Sequence, residues 1–214
     1  MRALGSSRWL VVVGAVAVCL FAANSARANL ISNGSFEYGT YPGGGVAPLL
    51  GGSTAIDDWT VTGHSIDWID TYWAASDGHR SIDLNGQGVG GIQATTGFST
   101  VMGQAYRLKF DMAGNPDAAP TVKNLALTVD GFTPQSYTFD TSGKTHDNMG
   151  WVTYTYDFTA TSTGLTSLSF ASGDGGSFGA ALDNVRVDAV PEPASLLLLG
   201  TGLSALALAR RRKA

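Results

Sequence analysis

The amino-acid sequence predicts an all-β fold, an antiparallel β-sandwich of the jelly-roll kind, and three observations lead there. Apolar residues recur with a period of two in short runs, as when Tyr106, Leu108, Phe110 and Met112 alternate with Arg107, Lys109 and Asp111. No stretch between residues 29 and 190 shows the 3.6-residue apolar period of an amphipathic helix. Turn-forming Gly, Asn, Asp and Thr interrupt the runs at close spacing, the layout of many short strands rather than of βαβ units.

Taken in order, residues 1–28 read as a signal peptide. Arg2 and Arg8 supply positive charge, residues 9–23 form an apolar helical core, and Ala26-Arg27-Ala28 fits the small-x-small cleavage rule. The segment 37–54 is rich in Gly, contains Pro42 and Pro48, and has no strand period, so a long surface loop is expected there. Weaker strand signals follow at 59–62, 65–70, 81–85 and 92–95. Stronger ones lie at 106–112, 125–129 and 152–158, then at Leu168 with Phe170 and at Val185 with Val187. Each is bounded by turn residues such as Asp130-Gly131 or the stretch 173–176. This makes about nine to eleven strands, enough for one sandwich closed by its first and last strands. Residues 29–189 thus form one domain of a size that buries a core without staples.

Over all 214 residues the formal charge is −4, but the segment 29–190 holds six basic residues against sixteen acidic ones, a net of ten negative charges. Such a body repels nucleic acid and suits divalent cations or neutral polymers such as sugars. The only cysteine, Cys19, lies in the signal segment, leaving the exported part without a disulfide.

The chain ends in Pro191-Glu192-Pro193, an uncharged apolar run at 194–209, and the basic residues Arg210, Arg211, Arg212 and Lys213. As a helix the run reaches roughly 24 Å, short of a hydrocarbon core of about 30 Å, so it is a marginal transmembrane helix. The basic end stays cytoplasmic by the positive-inside rule, which places the body across the membrane. This order of motif, helix and basic stop at 190–214 resembles the PEP-CTERM sorting signal of Gram-negative bacteria. The resemblance implies recognition by an exosortase, a membrane-held intermediate, and release or attachment at the cell surface.

A second resemblance rests on Asn33-Gly34-Ser35-Phe36-Glu37, Ser65-Ile66-Asp67-Trp68-Ile69 with Tyr72-Trp73, GHRSIDLNG at 78–86, FDMAGN at 110–115, Asn148-Met149-Gly150-Trp151, and Ala181-Leu182-Asp183-Asn184-Val185. In this order they resemble the choice-of-anchor C family of extracellular domains. What that implies is a galactose-binding-like β-sandwich, similar to carbohydrate-binding modules. In such sandwiches a structural calcium ion joins the N-terminal loop to the last strand, and the similarly placed residues are Glu37 and Asp183. Asp183 shares the parity of Val185 and Val187, so it needs a partner if that face is buried. The other reading is that Asp183 caps a turn through backbone N–H groups while Glu37 is exposed.

No catalytic residue is assigned. Gly175-Gly176-Ser177-Phe178-Gly179 matches G-x-S-x-G, yet a strand follows it where a nucleophile elbow needs a helix. Gly86, Gly88 and Gly91 match G-x-G-x-x-G with no βαβ unit around them. His64, His79 and His146 lack metal-ligand spacing and read as solvated loop residues. Asp57-Asp58 are expected in a strand, facing opposite ways, so they do not form a glycosidase pair. The aromatic residues are better binding candidates, because an indole or phenol ring stacks on the C–H face of a sugar. Trp59, Tyr72 and Trp73, with Asp77 nearby for hydroxyl groups, form the expected site for extracellular polysaccharide. Tyr72-Trp73 are placed at a loop tip, Trp68 in the core, and Trp59 in either role. The alternative function is a structural or adhesive matrix protein with no sugar site.

Overall fold

A strand with alternate apolar residues has one face to bury, and residues 29–191, which the computed structural model describes, do so by stacking two antiparallel sheets. One sheet has six strands, in the order β1 (Val46–Leu50), β3 (Ser65–Ile69), β4 (Ser81–Asp83), β13 (Ala180–Ala189), β7 (Ala105–Gly114) and β10 (Val152–Thr159). The other has five, in the order β2 (Trp59–Gly63), β5 (Gly90–Ala94), β12 (Leu168–Ser172), β8 (Val122–Val129) and β9 (Gln135–Asp140). A short ladder joins β6 (Phe98–Thr100) to β11 (Gly164–Thr166). The described residues contain no helix. The described residues form an all-β antiparallel sandwich, as their alternation predicts.

The core lies between the two large sheets. Leu108, Phe110 and Met112 of β7 and Ile66, Trp68 and Ile82 of β3 and β4 meet Ile92, Leu125, Leu127 and Phe170 from the other layer, all of them buried. The Phe110 and Phe170 rings stand edge to face, 5.1 Å apart. Each such side chain contributes about 1.5–3 kcal/mol on leaving water. Ala28–Val190 forms a compact unit with its own core, so this stretch can fold alone.

All nine sequence-based strand segments are present, and four strands were not expected. β1 falls inside the supposed loop 37–54. Its Pro48 is tolerated because β1 is an edge strand, hydrogen-bonded only to β3. β6, β9 and β11 carry too few alternating apolar residues to declare themselves. The last strand is also not at an edge: β13 lies between β4 and β7. Beyond β4 the N-terminal segment runs beside it, with Leu30 N–H donating to the Val187 carbonyl (2.9 Å) and Val187 N–H to Asn29 Oδ1 (3.0 Å). The signal helix and the transmembrane helix expected at 194–209 lie outside the described residues.

Candidate functional site

The site is built on a turn, Asn33-Gly34-Ser35-Phe36-Glu37. Asn33 and Phe36 have φ of 49° and 58°, in the left-handed region, a strained choice for a phenylalanine that its surroundings must fix. The Asn33 amide donates to the carbonyls of Tyr38 (2.9 Å) and Asp57 (2.8 Å) and accepts from Tyr38 N–H (3.0 Å). The carbonyls of Asn33 and Phe36 accept the indole N–H groups of Trp59 and Trp68, each at 3.0 Å. Gly34 accepts from Val185 N–H (2.8 Å), and a Cβ there would overlap the Val185 carbonyl oxygen. This turn therefore fastens the start of the domain to its last strand and to both core tryptophans.

Glu37, at the end of the turn, holds the loop 70–80. Its Oε1 accepts from the backbone N–H groups of His79 (2.7 Å) and Arg80 (2.6 Å). Asp183 Oδ2 accepts from Ser76 and Asp77 N–H, both at 2.8 Å, and Oδ1 from Asn184 N–H at 2.6 Å. Asp111 takes the Ser76 and Thr153 hydroxyls and the Asn184 amide. Two carboxylates thus bind four N–H groups of one loop. Three of the four carboxylate oxygens that would ligate calcium, Glu37 Oε1 and both oxygens of Asp183, already face the positive ends of N–H dipoles, a poor match for a shell of six to eight oxygens. Among the described residues no group of three or more His, Cys, Asp or Glu side chains could hold a metal ion. Between Glu37 and Asp183, where calcium was expected, the structure has hydrogen bonds to the backbone of loop 70–80. The turn-capping alternative for Asp183 is the one observed, and Glu37 is half-buried and bonded rather than simply exposed.

Register places Asp67 beside Asp83 and Asp183 beside Asp111 on the outer face of the six-stranded sheet. Burial pushes the carboxyl of Asp183 up to about 8, against the pull of its three N–H donors, that of Asp83 to about 7, and that of Asp67 to about 6. Asp83 accepts from Asn85 N–H, Gly179 N–H and the Asn115 amide. Nearby Lys123, fully buried, donates to the carbonyls of Ala118 (2.9 Å) and Phe178 (2.7 Å).

Above this face the chain brings four groups together at the surface. Asp117 accepts from the Tyr72 hydroxyl and pairs with His146 Nε2, both at 2.7 Å, and the Tyr72 and His146 rings lie 4.4 Å apart. By accepting that bond Asp117 holds the Tyr72 phenol above its usual range. Trp151, half-buried, donates its indole N–H to the Ala74 carbonyl (2.9 Å), while Ala74 N–H donates to the His146 carbonyl (2.9 Å). The result is a tilted aromatic pair, 40% exposed at Tyr72, with a carboxylate locked between two donors.

Of the expected binding residues, Tyr72 belongs to this cluster and Asp77 is exposed on the same loop. Trp73 and Trp59 do not. Trp73 is only 4% exposed and turns its N–H inward to Ser81 Oγ at 2.7 Å. Trp59 is 1% exposed and packs on Phe36 at 5.2 Å. Both are core, because an indole beside an inward Ser or carbonyl satisfies its N–H without solvent. His146 and Asp117 were missed: they are distant in sequence, and only the sandwich topology brings them together. His146 is thereby hydrogen-bonded to a carboxylate rather than merely solvated.

The enzyme-like patterns resolve as connections. Residues 175–179 form the loop before β13, and Gly91 of the glycine motif lies within β5. Asp57 and Asp58 lie in a turn before β2, not in a strand, with Asp58 at φ 67° and accepting from Ser32 Oγ at 2.6 Å. Pro191 is the last described residue; Glu192, Pro193, Arg210, Arg211 and Arg212 lie outside.

The chain is similar to several known proteins. Over 194 residues it is 29% identical to halomucin of Haloquadratum walsbyi, covering 86% of this chain and 2% of that one. Among solved structures it resembles a family 61 carbohydrate-binding module in complex with β-1,4-galactotriose, at TM-score 0.48 and 16% identity over 76% of this chain and 99% of the module. It also resembles the CBM22-1 xylan-binding domain from Paenibacillus barcinonensis, at TM-score 0.47 and 17% identity over 78% and 98%. An arabinose-bound α-L-arabinofuranosidase matches at TM-score 0.52 and 12% identity over 76% of this chain and 26% of the enzyme, a likeness of fold. Residues 189–213 match the PEP-CTERM protein-sorting motif, which implies export and sorting. Residues 29–188, most of the chain, match the model described as a protein of unknown function (DUF642), and the chain belongs to that family.

Proposed function

We propose that residues 29–190 are an exported, non-catalytic module that binds extracellular polysaccharide at the Tyr72 cluster, and that the tail is processed by an exosortase at Pro191-Glu192-Pro193. The observation that carries the binding reading is the exposed Tyr72 ring against His146 with Asp117 fixed between them. The rings offer a face to sugar C–H groups, and Asp117 keeps acceptor capacity for a hydroxyl. The reading rests on this cluster rather than on likeness of fold. A glycan array with residues 29–190 tests it. Tyr72→Ala should weaken binding about tenfold, the scale of one lost aromatic contact, without lowering Tm. An array with no sugar-dependent signal overturns it. For the tail, the mass of protein recovered from cells should show residues beyond the Pro-Glu-Pro removed; an intact C-terminus sinks that part.

The structural or adhesive reading has one observation of its own. β10 is an eight-residue edge strand without proline, and its single charge, Asp157, is paired with Arg107 at 2.6 Å. Such an edge is open to strand addition. That reading expects an empty array and concentration-dependent assembly.

A further inference from the structure

Charge is divided unequally between the two outer faces of the sandwich. The six-stranded sheet turns Asp67, Asp83, Asp111, Asp157, Asp183 and Asp188 outward together with Arg107, Lys109 and Arg186, as their register shows. On the outer face of the five-stranded sheet the one charged side chain of that parity within the strands is Asp140, at the end of edge strand β9. In a body with sixteen acidic residues, a nearly charge-free sheet face calls for a reason.

Its side chains are also ordered. Thr60, Gln93, Ser169 and Thr128 are direct cross-strand partners, so they form one row across four strands. Two residues along, Gly91, Ala171 and Ala126 are in register across three strands, with Thr62 and Ser136 at the ends. With strands about 4.8 Å apart the second row is a shallow trough roughly 20 Å long; Ala171 and Ala126 form its floor, and the Thr62 hydroxyl stands over buried Gly91. Gln93 Nε2 donates to Ser167 Oγ at 2.9 Å and the Thr60 hydroxyl bonds that of Thr95 at 3.0 Å, so these two side chains turn away from the trough and leave Ser169 and Thr128 to border it.

We propose that this trough is a second polysaccharide surface, which takes an extended, uncharged glycan chain laid across the strands. The Thr and Ser hydroxyls both donate and accept, matching sugar hydroxyls, and the methyl floor of Ala171 and Ala126 lets a ring lie close to the sheet. The surrounding acidic body repels anionic polymers. The proposal rests on the carbohydrate-binding reading but not on the Tyr72 cluster, which lies over the opposite sheet. With both occupied, one domain bridges two chains.

Affinity electrophoresis of residues 29–190 through hydroxyethylcellulose and a neutral galactan, with alginate as the anionic comparison, tests it. At least one neutral polymer should retard the protein while alginate does not. Ala171→Arg, which fills the trough, should weaken that retardation at least about tenfold, as the loss of two or three neutral hydrogen bonds implies. Tyr72→Ala should leave a trough-dependent part intact. Should Ala171→Arg fail to fold by Tm, the Ser169→Ala/Thr128→Ala double variant removes the wall instead and should show the same loss. Retardation abolished by Tyr72→Ala but untouched by the trough variants overturns the second surface while upholding the first. No retardation by either neutral polymer, or equal retardation by alginate, also overturns it. So does a dimer by light scattering that Ala171→Arg dissolves, since the face is then occupied by a second copy.

Discussion

Gly34 shows how a single atom can be decisive. Its missing Cβ lets the first segment touch Val185, so Gly34→Ala must push the turn off β13. The expected cost is about 1–3 kcal/mol or more, read as a lower Tm with the Asn33 hydrogen bonds lost. Lys123→Met keeps the buried stem but leaves the Ala118 and Phe178 carbonyls without donors. A loss of about 1–3 kcal/mol in urea unfolding is expected. Lys123 shares the parity of inward Leu125, Leu127 and Val129, so its burial was readable in the sequence. What could not be read was its partners, because the loops that supply them come from 118 and 178. The buried carboxyls give a pH signature. Asp67, Asp83 and Asp183 hold protons when folded up to about 6, 7 and 8, where the unfolded chain has already released them. Their contribution is complete below the ordinary carboxylate range and is lost as pH rises through those values. Tm should therefore fall between pH 5 and pH 8.5, and Asp183→Asn should flatten the upper part of that slope.

At the scale of elements, the loop 70–80 is the least autonomous part of the site. It has no strand, and four of its N–H groups are held by Glu37 and Asp183. In the Glu37→Gln/Asp183→Asn double variant, amide exchange at Ser76, Asp77, His79 and Arg80 should accelerate by at least about tenfold, while β7 and β13 stay protected. Unchanged exchange there would show that other contacts hold the loop. This loop is also where sequence reading went astray. Tyr72 and Trp73 are neighbours beside small residues, so both read as a loop tip, yet the chain puts one ring outward and the other beneath it on Ser81. Strands declared themselves wherever alternation was backed by bulk, as in β7 and β10. β1 hid because Pro48 and its flanking glycines speak for a loop unless its edge position is known.

For the molecule as a whole, the N–H groups already held by Glu37 and Asp183 lead to the expectation that millimolar calcium leaves Tm unchanged, since a ligand bound to the folded state alone would raise it. A clear rise would restore the ion. Alternation foretold the all-β class, and composition the acidic body. Neither could foretell that the outward strand acids gather on one layer and leave the other with Asp140 alone, because that depends on register.

The placement of β13 bears on what happens when the protein is loaded. Tension on the chain beyond Val190 enters a central strand, paired with β7 along most of its length and with the N-terminal segment on the other side. Such a pull strains many parallel bonds in shear at once instead of unzipping a border strand one bond after another, so a sandwich held from that end should yield late.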